Sequence, residues 1–446
     1  MKKKALFLMV TILLLLSACG GNATPSEQKE SASNAKGQVD INISVSRKNP
    51  FLESAARKFE EQHPNIKIHI KENVAVTEVN GNGGMTAAVS ALDVEKYIQT
   101  VTTEILAGKA SDIILMDSLP QDKLVQKNAL VNLYDWMDKD ESFKKSDYYD
   151  NIMTAAQNED GLYGLPLNFY LEGMLSGNAK LLKEANITID DEHWTWNQFK
   201  DIAKQLKESA GEDVKVLNNA FPGTLLVDFI EANYAQLINN GQPNFDSDMF
   251  RGMMEQVKSM FDEGILTEEF TYDQDTALFS QGGFTEPGTA VNDLLREDTV
   301  FYKKPTYDGQ SNGLSYRSGM TLAMNSKSKV QQESWEFLKF LLSDEMQSSS
   351  ELAGYPILQA QAEAKLENTR KSMEEGQGFS EAETKRLEEG MKQVKQMLEQ
   401  AGTKVDSDMK IIMTAMMEFN AFMSGQKSAE DVSKLIQNKV NTYLNE

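Results

Sequence analysis

The feature that most narrows the fold is a change of hydrophobic period near residue 48. Val39, Ile41, Ile43 and Val45 alternate with Asp40, Asn42 and Ser44, the two-residue repeat of a strand. Leu52, Ala55, Ala56 and Phe59 then fall at helical spacing, behind Asn49 as a good N-cap and Pro50 as a good first helical residue. Pro64 ends that helix, and Ile66, Ile68 and Ile70 resume the alternation. A strand-helix-strand opening of this kind commits the chain to mixed α/β architecture.

The rest of the sequence keeps to that class. Val94, Ile98, Val101 and Ile105 form one helical stripe that stops near Gly108, and Ile113 to Met116 is a short apolar run suited to a central strand. Thr195-Trp196-Asn197-Gln198 reads as a capping box ahead of Phe199, Ile202, Ala203 and Leu206. The C-terminal third is helical, with Trp335, Leu338 and Leu342 on one face, Leu387, Met391, Val394 and Leu398 on another, and Ile412, Met416, Phe419 and Met423 on a third. Its methionines keep core spacing, which favours packing over a partner groove. Residues 359–400 are highly charged with narrow apolar stripes and read as a surface helical pair.

Composition removes several functions. The 45 basic and 67 acidic residues leave a formal charge of −22, which repels phosphate backbones and disfavours nucleic acid as a partner. One cysteine forms no internal disulfide, and three scattered histidines supply no zinc site. Asp138 to Ser142 begins like a calcium loop, but Phe143 stands where the sharp turn needs glycine, so a solvated acidic turn is expected. With no phosphate loop or nucleophile elbow either, no cofactor is expected.

The N-terminus reads as an address. Lys2, Lys3 and Lys4 precede the apolar run Ala5 to Leu16, too short to span a bilayer and right for a secretory signal. The run ends in Leu16-Ser17-Ala18-Cys19-Gly20, which resembles the lipobox of bacterial lipoproteins and implies cleavage before Cys19 and lipidation of its thiol. Residues 1–18 would be the signal and 19–37, rich in small and polar residues, a flexible tether.

Five motifs in order carry a further resemblance. Phe59-Glu60-Glu61-Gln62-His63-Pro64-Asn65-Ile66, Leu106 to Ile114 with its Gly108-Lys109-Ala110, Tyr163-Gly164-Leu165-Pro166-Leu167, Thr195 to Phe199, and Ser334-Trp335-Glu336-Phe337-Leu338 are similar to landmarks of the extracellular solute-binding proteins of ABC transporters, in the group of maltose-binding protein. The likeness implies a two-lobe periplasmic-binding-protein-like α/β fold with an interlobe cleft and crossing hinge strands. It also implies a non-enzymatic task, the capture of a solute outside the cell for a membrane permease. The first crossover is expected near Leu165 to Leu175 and the second near Gly313 to Ala323, so that 38–167 with 275–318 form one lobe and 168–274 with 319–446 the other.

A sugar needs aromatic faces for its C–H surfaces and Asp, Glu, Asn or Arg for its hydroxyl rim. Tyr170 and Glu172 follow the third motif, at positions that face the cleft in the resembling family. Arg47 follows the first strand, and Asp117 and Ser118 follow the strand Ile113 to Met116, at carboxyl ends where open α/β sheets bind ligands. Tyr316 and Arg317 precede Gly319 at the second crossover, and Phe284 and Glu286 lie in a glycine-rich stretch that departs from the family pattern. Trp196 is expected to pack and Trp194 is open between packing and ligand.

The expected function is therefore a monomeric, lipid-anchored receptor of an ABC importer on the extracytoplasmic face, taking an oligosaccharide. Three alternatives stay open at this stage: a cationic solute such as a polyamine, a secreted glycoside hydrolase drawing on Asp117, Glu172 and Glu286, and an adhesin gripping a partner through residues 359–400.

Overall fold

The computed structural model describes residues 37–74, 91–158, 160–211, 214–239, 241–269, 277–309, 313–405 and 408–445. The expected signal, the tether and Cys19 lie outside them. The chain alternates between two cores. It begins the first with β1 (Val39–Val45), α1 (Pro50–Gln62), β2 (Ile66–Glu72), α2 (Ala91–Leu106) and β3 (Ile113–Leu115). It continues through α3 (Gln121–Gln126), α4 (Tyr134–Met137) and α5 (Asp150–Ala155) to β4 (Leu165–Glu172).

Past Gly173 it enters the second core with β5 (Met174–Asn178), α6 (Ala179–Glu184), α7 (Trp196–Ala210), β6 (Lys215–Leu217), α8 (Pro222–Ala232) and α9 (Tyr234–Leu237). The hairpin β7 (Ile238–Asn239) and β8 (Gln242–Pro243), α10 (Asp248–Asp262) and β9 (Ala277–Gln281) follow. The chain returns to the first core for α11 (Pro287–Leu295) and makes one excursion to the second as β10 (Thr299–Lys303). It then completes the first core with β11 (Ser315–Met324), α12 (Gln331–Leu341), α13 (Asp344–Gln347), β12 (Tyr355–Pro356), α14 (Gln359–Gln377), α15 (Glu381–Gln400) and β13 (Thr403–Lys404). Helices α16 (Met409–Met423) and α17 (Ala429–Asn445) close the second core.

The large sheet runs β12-β4-β11-β3-β1-β2, with β13 paired to the start of β11. Strands β1, β2 and β3 are parallel, and β11 is antiparallel to both β3 and β4. Ile41, Ile43, Ile113 and Leu115 pack with α1, α12 and the helices beyond on one face, while Ile114, Met116 and Ala323 pack with α2 and α3 on the other. Burial on both faces is why Ile113 to Met116 reads as an unbroken apolar run. The smaller sheet, β10-β5-β9-β6, is covered by α7, α8, α10, α16 and α17.

Local sequence signals act as expected at element ends. The Asn49 carboxamide accepts from the Leu52 amide at 3.0 Å. Thr195 and Gln198 form the reciprocal capping box at α7, burying Trp196 against Phe229 in a stack with centroids 5.2 Å apart. The acidic turn has a structural partner: Asp140 accepts from the Trp335 indole at 3.1 Å and from Lys339 at 2.7 Å.

The boundary between the cores differs from the expected one. Residues 319–401 belong to the first core, because β11 stays in the large sheet along its whole length, Leu322, Ala323 and Met324 pairing with β3. Residues 277–281 belong to the second, as β9 of the small sheet. The helical pair α14–α15 forms as expected, and its narrow stripes, Ala362 and Leu366 on α14 and Leu387, Met391, Val394 and Leu398 on α15, are buried against the first core. Gly390 lets α15 approach α11, since a Cβ there would meet Leu294. Among the described residues no helix is long and apolar enough to cross a membrane.

Candidate functional site

The carboxyl end of β4 pairs with the start of β11, Glu172 opposite Ser315, and the carboxyl end of β3 meets the same strand farther along, Leu115 opposite Leu322. Strand alternation divides their side chains between two faces. Phe169, Leu171 and Tyr316 point into the first core, whereas Tyr170, Glu172 and Arg317 share the opposite face. The Tyr170 ring lies in a slot between two glycines. A Cβ on Gly319 would come within 2.8 Å of the ring, and one on Gly354 within 3.1 Å. Only residues without side chains permit that close approach.

Charges flank the ring. Burial raises the Tyr170 hydroxyl pKa above its ordinary value, and the negative charges of Glu286 and Asp117 add to the effect. Asp117 accepts from the Thr321 amide at 3.3 Å. It reaches solvent, but protein encloses it on its remaining sides, and that desolvation pushes its carboxyl up to about 6 despite the lowering effect of the Thr321 amide. An acid both accessible and crowded marks a concave surface. Tyr97 of α2, whose hydroxyl donates to the Leu115 carbonyl at 3.3 Å, has its pKa raised by burial and further by the nearby charge of Asp117.

Contacts from the second core complete the groove. Arg317 on β11 bonds Glu172 at 3.3 Å and reaches Glu231 on α8 at 2.9 Å. Beside this pair a recess is lined by the crossing segments at Glu172–Gly173, Lys303–Tyr307, Gly313–Ser315 and Thr403–Val405 and by the C-terminal half of α8. Lys304 and Asp228 pair across it at 3.0 Å. A second line of contact joins α2 and α3 to α16 and α17. Glu95 pairs with Lys410 at 3.4 Å, and the Lys123 ammonium sits 5.7 Å from the centre of the Tyr443 ring.

The sequence profile described as bacterial extracellular solute-binding protein matches residues 44–348, well over half of the chain. The chain belongs to that family. Solved structures with the same fold include an extracellular solute-binding protein family 1 from Alicyclobacillus acidocaldarius, 16% identical, with a TM-score of 0.55 over 93% of this chain and 100% of that one. An ABC substrate-binding protein from Listeria monocytogenes in complex with cycloalternan is 13% identical, with a TM-score of 0.55 over 92% and 99%. The maltose-bound MalE3 of T. maritima is 15% identical, with a TM-score of 0.53 over 91% and 100%. This solute-binding protein thus has the two-lobe α/β fold with crossing hinge strands that its motifs implied.

The expected site residues divide into two groups. Tyr170, Glu172, Asp117 and Arg317 are brought together, with half-buried Ser118 next to Asp117. Glu286 joins them through its charge, although its backbone is also engaged at the start of α11, its amide donating to Thr289 at 3.0 Å. Arg47 is exposed and makes no hydrogen bond or ion pair among the described residues.

Two expectations are corrected. Tyr316 is fully buried, donates to the Ile152 carbonyl at 3.0 Å and packs edge-on to Phe169, so it belongs to the core and touches no solute. Phe284 is also buried; a φ of +57° turns its ring inward against Phe301, centroids 4.1 Å apart. Trp194 is structural, its indole donating to the Lys303 carbonyl at 2.8 Å.

Two groups escaped the sequence reading. Phe221 is 37% exposed just before Pro222, at the carboxyl end of β6 in the second lobe. An aromatic a few residues beyond a strand and immediately before a proline-started helix is the signal that could have found it. The other is Lys365 on α14, which bonds backbone carbonyls beside Tyr170.

Proposed function

We propose that this solute-binding protein captures a carbohydrate, of oligosaccharide size, in the groove at Tyr170 and delivers it to the permease of an ABC importer. In this reading it is held on the extracytoplasmic face by lipid on Cys19, with residues 19–37 as tether. The observation that carries the reading is Tyr170 held between two glycines with Asp117 and Glu286 on its flanks. An aromatic face bordered by hydrogen-bond acceptors matches the C–H surface and hydroxyl rim of a sugar. Cycloalternan and maltose in the fold neighbours are in keeping with it.

The electrostatics favour a neutral guest over a polyamine. Arg317 already engages both Glu172 and Glu231, so neither is free to receive the ammonium of a polyamine. Capture works as a hinge equilibrium: contacts made by both lobes stabilise the closed state only when solute bridges them. Phe221 offers the second lobe an aromatic contact of its own.

Calorimetric titration with a panel of linear and cyclic oligosaccharides tests this. One sugar should bind saturably per chain, Tyr170→Ala should weaken it at least tenfold while the protein stays folded, and chromatography should recover the glycan intact. A folded protein that binds no member of a broad glycan panel refutes the sugar assignment, and cleavage of the glycan would make the protein a hydrolase instead.

A further inference from the structure

The inserted pair α14–α15 reads as a solvated decoration, yet one of its lysines reaches the candidate site. Lys365 is half-buried, and its ammonium donates to the Gly354 carbonyl at 3.1 Å and to the Leu352 carbonyl. The carbonyl between them, Ala353, accepts from the Asn168 carboxamide at 2.6 Å. Three successive carbonyls of one loop are thus each held by a side chain, two of them by Lys365. That loop leads directly into β12, which pairs with Phe169 and Asn168.

The loop is the wall of the Tyr170 slot. Gly354 has φ +64°, and a Cβ there would lie 2.6 Å from the Phe169 carbonyl and 3.1 to 3.2 Å from the Tyr170 ring. The wall therefore leaves the ring little freedom so long as the loop keeps its place. Glu286 acts electrostatically on both Lys365 and Tyr170, so the ammonium, the carboxylate and the ring form one neighbourhood. Burying an ammonium is costly unless its donors are used, and here two of them are used on the loop carbonyls that flank the one held by Asn168.

We infer that Lys365 is a positioning residue for the solute site: by fixing the carbonyls of Leu352 and Gly354 it holds the glycine wall that sets the Tyr170 ring, and so makes the helical insertion part of the cleft. The inference rests on the sugar-binding reading for its effect on affinity, but its effect on the ring does not. Lys365→Met removes the donors and keeps the aliphatic stem; Lys365→Gln is the milder variant should the first fail to fold.

The test uses the full chain with ring-labelled tyrosine, the Tyr170 signal being identified by its loss in Tyr170→Phe. Lys365→Met, or the Gln variant, should shift or broaden the Tyr170 ring signal without solute and weaken oligosaccharide binding about fivefold or more; Lys365→Arg should restore both. In a Tyr170→Ala background the same Lys365 change should cost no further affinity, because its action passes through the ring. An unmoved Tyr170 signal in a folded Lys365 variant overturns the inference, and so does an equal loss of affinity with and without Tyr170. If no sugar binds at all, the ring signal still decides the positioning role, separately from the functional reading.

Discussion

Raising the pH through 6 should weaken this protein at Asp117. In the unfolded chain the carboxyl titrates near 3.8, and in the fold enclosure pushes it up to about 6. The folded state therefore holds the proton more tightly. The stabilisation is fully present below the unfolded value and is lost as pH rises through the folded one. The gap corresponds to ~3 kcal/mol for a group sealed from water. Asp117 reaches solvent, however, and accepts from the Thr321 amide, so screening reduces the effect to about 1 kcal/mol.

Asp117→Asn keeps the shape and the acceptor and removes the ionisation. Urea unfolding of both proteins between pH 4 and 7.5 isolates the effect, because every other titrating group is common to the two. The variant's advantage should be near zero at pH 4 and grow to about 1 kcal/mol by pH 7.5. A difference independent of pH, or one that favours the wild type as pH rises, refutes the enclosure argument. In the sugar-binding reading a solute hydroxyl donates to ionised Asp117, so wild-type affinity should rise with pH through 6 and that of the variant should not.

The corrected assignment of Tyr316 predicts that Tyr316→Phe lowers stability by about 1 kcal/mol, by deleting the buried bond to Ile152, and leaves solute affinity unchanged; a loss of affinity at full stability would restore it to the site. The Arg317–Glu231 pair joins the two lobes, so a double-mutant cycle in urea should give a coupling of about 1 kcal/mol that falls in high salt. Gly390→Val drives a side chain into Leu294 and should destabilise by ~1–3 kcal/mol through overpacking at α11, measured by thermal unfolding. A neutral result would mean that α15 is not seated on α11.

What could be read in the sequence was whatever neighbours along the chain decide. The period of β1, the cap and proline of α1 and the capping box at Thr195 each lie within a few residues, and each forms as written. Asp117 was expected from the strand end it follows, and Tyr170 from the resemblance carried by Tyr163 to Leu167; the fold places the two near one another. Tyr316 and Arg317 show where that ends. They are adjacent in β11, one faces the core and the other the groove, and only the register with β4 decides which. Phe284 fails for a related reason, since its positive φ reverses the direction an extended chain would give its ring. Lys365 is one of three cations on α14, and only the loop it meets in space distinguishes it. The lobe boundary depended on a pairing between β11 and β3, about two hundred residues apart.

The placement of α16 and α17 bears on how the molecule is made. Leu225, Phe229, Met253 and Val257 are roofed by Ile411, Ala415, Phe419, Val432 and Ile436, more than 150 residues farther along the chain. Synthesis must pass Ile436 before that interior can be sealed. A nascent chain stopped short of Met409 would display a greasy, half-built lobe, an open invitation to chaperones and proteases, while its partner lobe already had most of its residues in hand. Sealing from so far downstream leaves that lobe pliable until those helices emerge, the state in which a translocation channel can still thread it.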